Sequence, residues 1–230
     1  MNKHFIFLFV ILFLFENAFS KGVSYPDAGM WNTFSIEKKI NKKFSISLDE
    51  EVRFKENYSQ LNLFYTNLGV SYKISKGLKF SLIYRNTQKV NFERGWDIKH
   101  RIMFDLTYKK KIKDNFYVQM RERIQLENKN IFSSEDGKYI ESFSRTKIEI
   151  GYNINRNLKA YISEEMRFQI VDPRNAESNF GLHRFRQAAG FNYKLTLSST
   201  IGAYYLVQLE SRVYKPNDLY IFGIEYNIDL

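Results

Sequence analysis

The stretch FSISLDEEVRF, residues 44–54, switches polarity at almost every residue, and this period of two constrains the chain more than any other feature. Phe44, Ile46, Leu48, Val52 and Phe54 fall on one face, and Ser45, Ser47, Asp49, Glu51 and Arg53 on the other. That is the pattern of an extended strand with one apolar and one polar side. It recurs in LKFSLIYRN, where Leu78, Phe80, Leu82 and Tyr84 oppose Lys79, Ser81 and Arg85. In HRIMFDLTY, Ile102, Phe104, Leu106 and Tyr108 oppose Arg101, Asp105 and Thr107. Eleven such segments can be marked, at 30–38, 44–55, 62–74, 78–88, 98–109, 115–127, 142–153, 157–170, 183–195, 198–210 and 218–230. Aromatic residues reach 17% of the chain, which suits a pleated surface.

The segments run near or above the ~9–11 residues that a tilted strand needs to cross a bilayer, whereas soluble strands average ~5–6. Short turns such as SKG (75–77) and NRN (155–157) alternate with longer polar stretches, among them VNFERGWD, NKNIFSSEDGKY and VDPRNAESNFG. Short turns at one end and long loops at the other are the plan of an outer-membrane barrel. The expected fold is therefore all-β, an antiparallel transmembrane β-barrel. Bacterial single-chain barrels use even strand numbers, so the expectation is twelve strands within a range of ten to twelve, with a short strand hidden in Gly22–Gly29.

Residues 1–20 read as a signal peptide: Lys3 and His4 precede FIFLFVILFLF, and Ala18-Phe19-Ser20 offers a cleavage site before Lys21. The apolar run is shorter than the ~20 residues of a spanning helix. Residues 21–230 read as a single outer-membrane barrel domain. The chain has no cysteine, which excludes a disulfide framework, a thiolate metal site and a lipoprotein anchor. Its formal charge is +10, but Lys and Arg are spread along the sequence among acids, unlike a nucleic-acid patch. The tail DLYIFGIEYNIDL places Tyr220, Phe222, Ile224, Tyr226, Ile228 and Leu230 on one face. It is similar to the terminal strand that the barrel assembly machinery reads, with Leu230 in place of the usual Phe.

If the apolar face meets lipid, the charges must enter the lumen. The predicted lumen ladder is Glu51, Arg53, Arg85, Arg101, Asp105, Arg121, Arg123, Arg145, Glu149, Glu165, Arg167, Arg184 and Arg186. A soluble periplasmic β-protein would reverse the two faces, with the apolar side inward. Glu50, Glu122 and Glu164 fall on the apolar parity, each six residues after the start of its strand at Phe44, Phe116 or Leu158. Either the apolar band ends there, or the three form an acidic girdle on the lipid face that meets a cation-bridged headgroup or a partner.

A series of short pieces occurs in order along nearly all of the mature chain. It runs from DAGMW, ending at Trp31, through the E-x-R of Glu51 and Arg53, GVSY (69–72) and the YR of Tyr84 and Arg85 to RIMFDL (101–106). It continues with RER (121–123), SEEMRF (163–168), RFR (184–186) and YYLVQ (204–208). In this series the chain resembles the bacterial outer-membrane β-barrel family catalogued as domain of unknown function 2490 (DUF2490), found in Bacteroidetes-like bacteria. The resemblance implies an outer-membrane barrel of a Gram-negative cell and brings no established activity.

A lipid hydrolase would need a serine nucleophile with a histidine base. The mature chain holds only His100 and His183 and no G-x-S-x-G, so no enzyme, metal or cofactor is expected. Gly69, Gly151, Gly190 and Gly223 look like strand positions that need a bend or close packing. The remaining classes are a structural barrel or a narrow channel for small, preferentially anionic solutes, with a lipid-modifying enzyme or a soluble β-protein as alternatives. The expected partners are outer-membrane lipid and the assembly machinery; nucleic acid is not one.

Overall fold

The computed structural model describes residues 26–93, 95–113, 115–128, 140–171, 181–210 and 218–230. The expected signal peptide and most of the NKNIFSSEDGKY and VDPRNAESNFG loops lie outside these residues. Among the described residues, eleven strands form one closed barrel. They are β1 (Asp27–Lys39), β2 (Phe44–Lys55), β3 (Gln60–Ser75), β4 (Leu78–Asn91), β5 (Gly95–Lys111) and β6 (Phe116–Asn128), followed by β7 (Glu141–Asn153), β8 (Leu158–Val171), β9 (Gly181–Lys194), β10 (Ser199–Glu210) and β11 (Leu219–Asp229).

The count corrects the expectation of twelve. Consecutive strands are antiparallel, but β1 and β11 pair in parallel from Asp27↔Leu219 to Glu37↔Asp229. Both edges of β1 are thus occupied, by β2 and β11; Asp27–Gly29 of the expected twelfth strand belong to β1 itself, and residues 22–25 lie outside the described residues. An odd number forces this closure, because the first and last strands then run in the same direction. The chain consequently enters β1 at the long-loop mouth and ends at the short-turn mouth, where the Leu230 amide donates to the Glu37 carbonyl at 2.8 Å. Parallel pairs are slightly weaker per residue. At this seam an apolar cluster inside the barrel, Trp31, Tyr204, Leu206 and Ile221, adds packing across β1, β10 and β11.

Burial is inverted relative to a water-soluble sheet. Outward Leu68, Val70, Leu82 and Leu106 are 43–54% exposed, whereas inward Arg123 and Asp105 are 7% and 4% exposed. Met103, Gln125 and Ile221 are almost completely buried inside.

The short turns repeat one device. At residues 40–43, 154–157 and 195–198 the first two turn amides donate to the carbonyl of the residue opening the next strand, as in Ile40 and Asn41 to Phe44. A side-chain oxygen at the second turn position then accepts two later amides: Asn41 from Lys43 and Phe44, Asn155 from Asn157 and Leu158, and Thr196 from Ser198 and Ser199. Such Asx and Ser/Thr turns fix a tight reversal locally. The VNFERGWD stretch, expected as a long loop, is mostly strand: Val90 pairs with Trp96 and Asn91 with Gly95. Outside the wall Trp96 packs edge-on against Phe64, with centroids 5.5 Å apart, which extends the hairpin.

One lumen wall is built by alternation of rings and glycines. Trp31, Gly223, Tyr204, Gly190, Tyr161, Gly151 and Tyr117 are successive cross-strand partners from β1 through β11 and β10 to β6. Gly223 and Gly151 leave the space that the Tyr204 and Tyr117 rings occupy, and Gly190 makes room for the Tyr161 hydroxyl and the Tyr204 Cβ.

Candidate functional site: the charged lumen

The expected lumen residues project into one interior, and the register decides which of them meet. Asp105 accepts both Nε and a terminal nitrogen of Arg123 at 2.6 Å, a two-pronged pair between direct cross-strand partners. Glu165 is shared by three arginines: Arg121 at 2.6 Å, Arg186 at 3.2 Å, and Arg145. Glu51 pairs with Arg53 and accepts the hydroxyls of Thr33 at 3.0 Å and Tyr65 at 2.5 Å. Glu149 accepts Lys147 at 3.0 Å and the Tyr117 hydroxyl at 3.1 Å.

Several partners carried no sequence signal beyond parity. Glu127 takes Arg101 at 2.5 Å and Lys99 at 3.0 Å, and Glu210 takes Arg184. Asn67 accepts Arg85 Nε at 2.7 Å, and Gln208 accepts Arg186 Nε at 2.8 Å. Aromatic faces supply the rest. Arg53 lies 3.6 Å over the Trp31 ring, Arg85 3.5 Å over Tyr65 and Arg167 4.5 Å over Phe143, geometry in which the negative ring face attracts a cation.

Among the described residues, nine cationic side chains share six carboxylates in these pairs, and Arg85 and Arg167 have none. Asp49 and Glu225 face the same interior without an ion pair, so positive charge remains in excess even when both are counted. The free space at this level is about 380 Å³. Toward the short turns it opens into a vestibule of about 860 Å³ where Lys39, Lys42, Lys43, Lys73, Lys79 and Lys109 outnumber Glu37, Asp49, Asp105 and Asp229, with Ser45, Ser71, Ser75 and Ser81 between them. Lys73 and Lys79 are direct cross-strand partners, and the Ser71 and Ser81 hydroxyls are 2.8 Å apart. In one dimension these lysines are interleaved with acids and form no pattern; the turns gather them at one mouth.

Glu50, Glu122 and Glu164 face outward and each meets a donor on the next strand. Thr66 donates to Glu50 at 2.8 Å, Ser144 and Thr146 to Glu122 at 2.5 and 2.6 Å, and Gln187 to Glu164 at 3.2 Å. Each is the sixth residue beyond the start of its strand, which puts the three at matching heights. The apolar side chains resume beyond them, with Val52 and Phe54, Ile124 and Leu126, and Met166 and Phe168, so the apolar band does not end at these carboxylates. His100 accepts or donates a 2.6 Å bond with Tyr84 on the outer wall, and His183 is buried on β9.

A family model described as "Protein of unknown function (DUF2490)" matches residues 28–218, which take in β1 through β10 and stop just short of β11. The chain belongs to the DUF2490 family. No curated protein matches this DUF2490 chain. Among solved structures it is similar to one titled "NanC porin structure in rhombohedral crystal form", at 11% identity and a TM-score of 0.48, covering 79% of this chain and 85% of that one.

Proposed function

We propose that this DUF2490 barrel resides in the outer membrane, with its apolar wall in lipid and its lumen forming a narrow passage that prefers anions. The inversion of burial carries the reading: a continuous outer surface of exposed Leu, Ile, Val and Phe around a charged interior has a favourable environment only in hydrocarbon. The short-turn mouth faces the periplasm in this reading, as short turns do in such barrels. The terminal strand β11 supports recognition by the assembly machinery. The excess of Arg and Lys over carboxylates supports anion preference, since fixed cations along a pore concentrate the opposite charge.

A second reading is a closed structural barrel. It is favoured by the three-arginine clasp on Glu165 and by the near-complete burial of Met103 and Gln125 inside. No catalytic role is assigned in either reading, since His100 and His183 sit on strands four apart in the barrel.

Cell fractionation followed by a heat-modifiability gel tests location: a membrane-fraction band that shifts on boiling is expected, and a soluble periplasmic protein would overturn the reading. Planar-bilayer recording under a salt gradient then separates the two lumen readings. Anion-selective current is expected for the passage, and a sealed bilayer would leave the structural barrel.

A further inference from the structure

Six successive cross-strand partners form one row across β5 to β10: Asp105, Arg123, Arg145, Arg167, Arg184 and Glu210. Four arginines thus stand side by side, an arrangement in which directly opposed like charges repel. The acids at the two ends neutralise the outer arginines, Asp105 for Arg123 and Glu210 for Arg184, and Arg145 reaches Glu165. Arg167, in the middle, makes neither a hydrogen bond nor an ion pair with any described residue, and its Nε is buried without an acceptor. Nε of Arg145 is buried and unsatisfied as well. A buried guanidinium nitrogen with no acceptor is costly, and the Phe143 ring beneath Arg167 offsets part of that cost without supplying an acceptor.

We propose that the missing partner is the oxyanion group of a solute, a carboxylate or a phosphate, held in the 380 Å³ cavity by Arg167 with Arg145 and Arg184 on either side. Small-molecule sites begin at about 300 Å³, so the space admits a compact anion. The lysine vestibule leads to it: Arg121 lines both spaces, and unpaired cations along the approach raise the local anion concentration. This site rests on the anion-preferring lumen proposed above.

Thermal unfolding of the purified barrel in detergent tests it, because a ligand that binds only the folded state raises the midpoint. Sodium phosphate and sodium citrate are compared with sodium chloride at equal ionic strength, on the wild type, Arg167→Gln and Arg123→Gln. A saturating rise with phosphate, citrate or both is expected for the wild type, and the responsive probe identifies the group. In chloride, Arg167→Gln is expected to unfold at the same temperature as the wild type or higher, and to have lost the response. Arg123→Gln, which strands Asp105, is expected to unfold lower. The proposal is overturned by a wild type that responds to neither anion, by an unchanged response in Arg167→Gln, or by an Arg167→Gln barrel that is destabilised or does not fold. Binding in detergent is independent of current: binding without anion selectivity refutes only the passage, and selectivity with binding unaltered in Arg167→Gln refutes only this site.

Discussion

Tyr204 lies across Gly223 on the neighbouring strand so closely that a methyl group on that glycine would stand 2.0 Å from the ring's Cζ. Tyr117 covers Gly151 in the same way, at 2.1 Å. The rings fill the volume that the glycines leave on the wall beside the parallel seam, the same device by which aromatics shield strand glycines elsewhere.

Gly223→Ala and Gly151→Ala should therefore displace a ring, and each should lower the stability of the folded barrel by about 1–3 kcal/mol, the usual penalty of overpacking. Denaturant unfolding from lipid vesicles measures it. An unmoved midpoint would mean that the rings give way freely.

Glu165→Gln should be the most damaging single change in the lumen. It removes the negative charge that Arg121, Arg145 and Arg186 share and leaves them one amide oxygen, and leaving buried charges without their counter-charge costs about 3–5 kcal/mol. The same denaturant series checks this, and Lys99→Gln, whose head is more exposed and whose partner Glu127 keeps Arg101, should cost less than about 1 kcal/mol.

With the barrel in the outer membrane as proposed, the parallel closure predicts that Pro26 and Leu230 lie on opposite sides of the membrane. The absence of native cysteine makes single-cysteine labelling clean. With an impermeant maleimide on intact cells, Pro26→Cys should react and Leu230→Cys should react only after the outer membrane is permeabilised. Equal protection of both would indicate an even-stranded closure instead.

The matched outward carboxylates predict a gain on removal. An acidic side chain within the apolar band is penalised, though less than the ~2–4 kcal/mol of Lys or Arg at mid-depth. Glu122→Leu should thus stabilise the barrel in vesicles by about 1 kcal/mol, with the two hydroxyls it releases, Ser144 and Thr146, limiting the gain. A loss of stability would show that the carboxylate holds β6 to β7.

The amino-acid sequence by itself determined the strands and the side of the wall on which each residue stands. Both follow from a period of two, which is local: Arg85 and Tyr84 must point opposite ways wherever the strand lies. It did not determine closure, because eleven and twelve segments have the same alternation and only the pairing of β1 with β11 distinguishes them. Nor did it determine neighbours. Arg123 and Arg184 belong to one row only because turn lengths and strand tilt set the register across β6 to β9, and register is a property of the assembled sheet. For the same reason the lysines, dispersed among acids along the chain, become a basic vestibule only when the short turns are brought to one mouth, where no chain-local pattern could have assembled them.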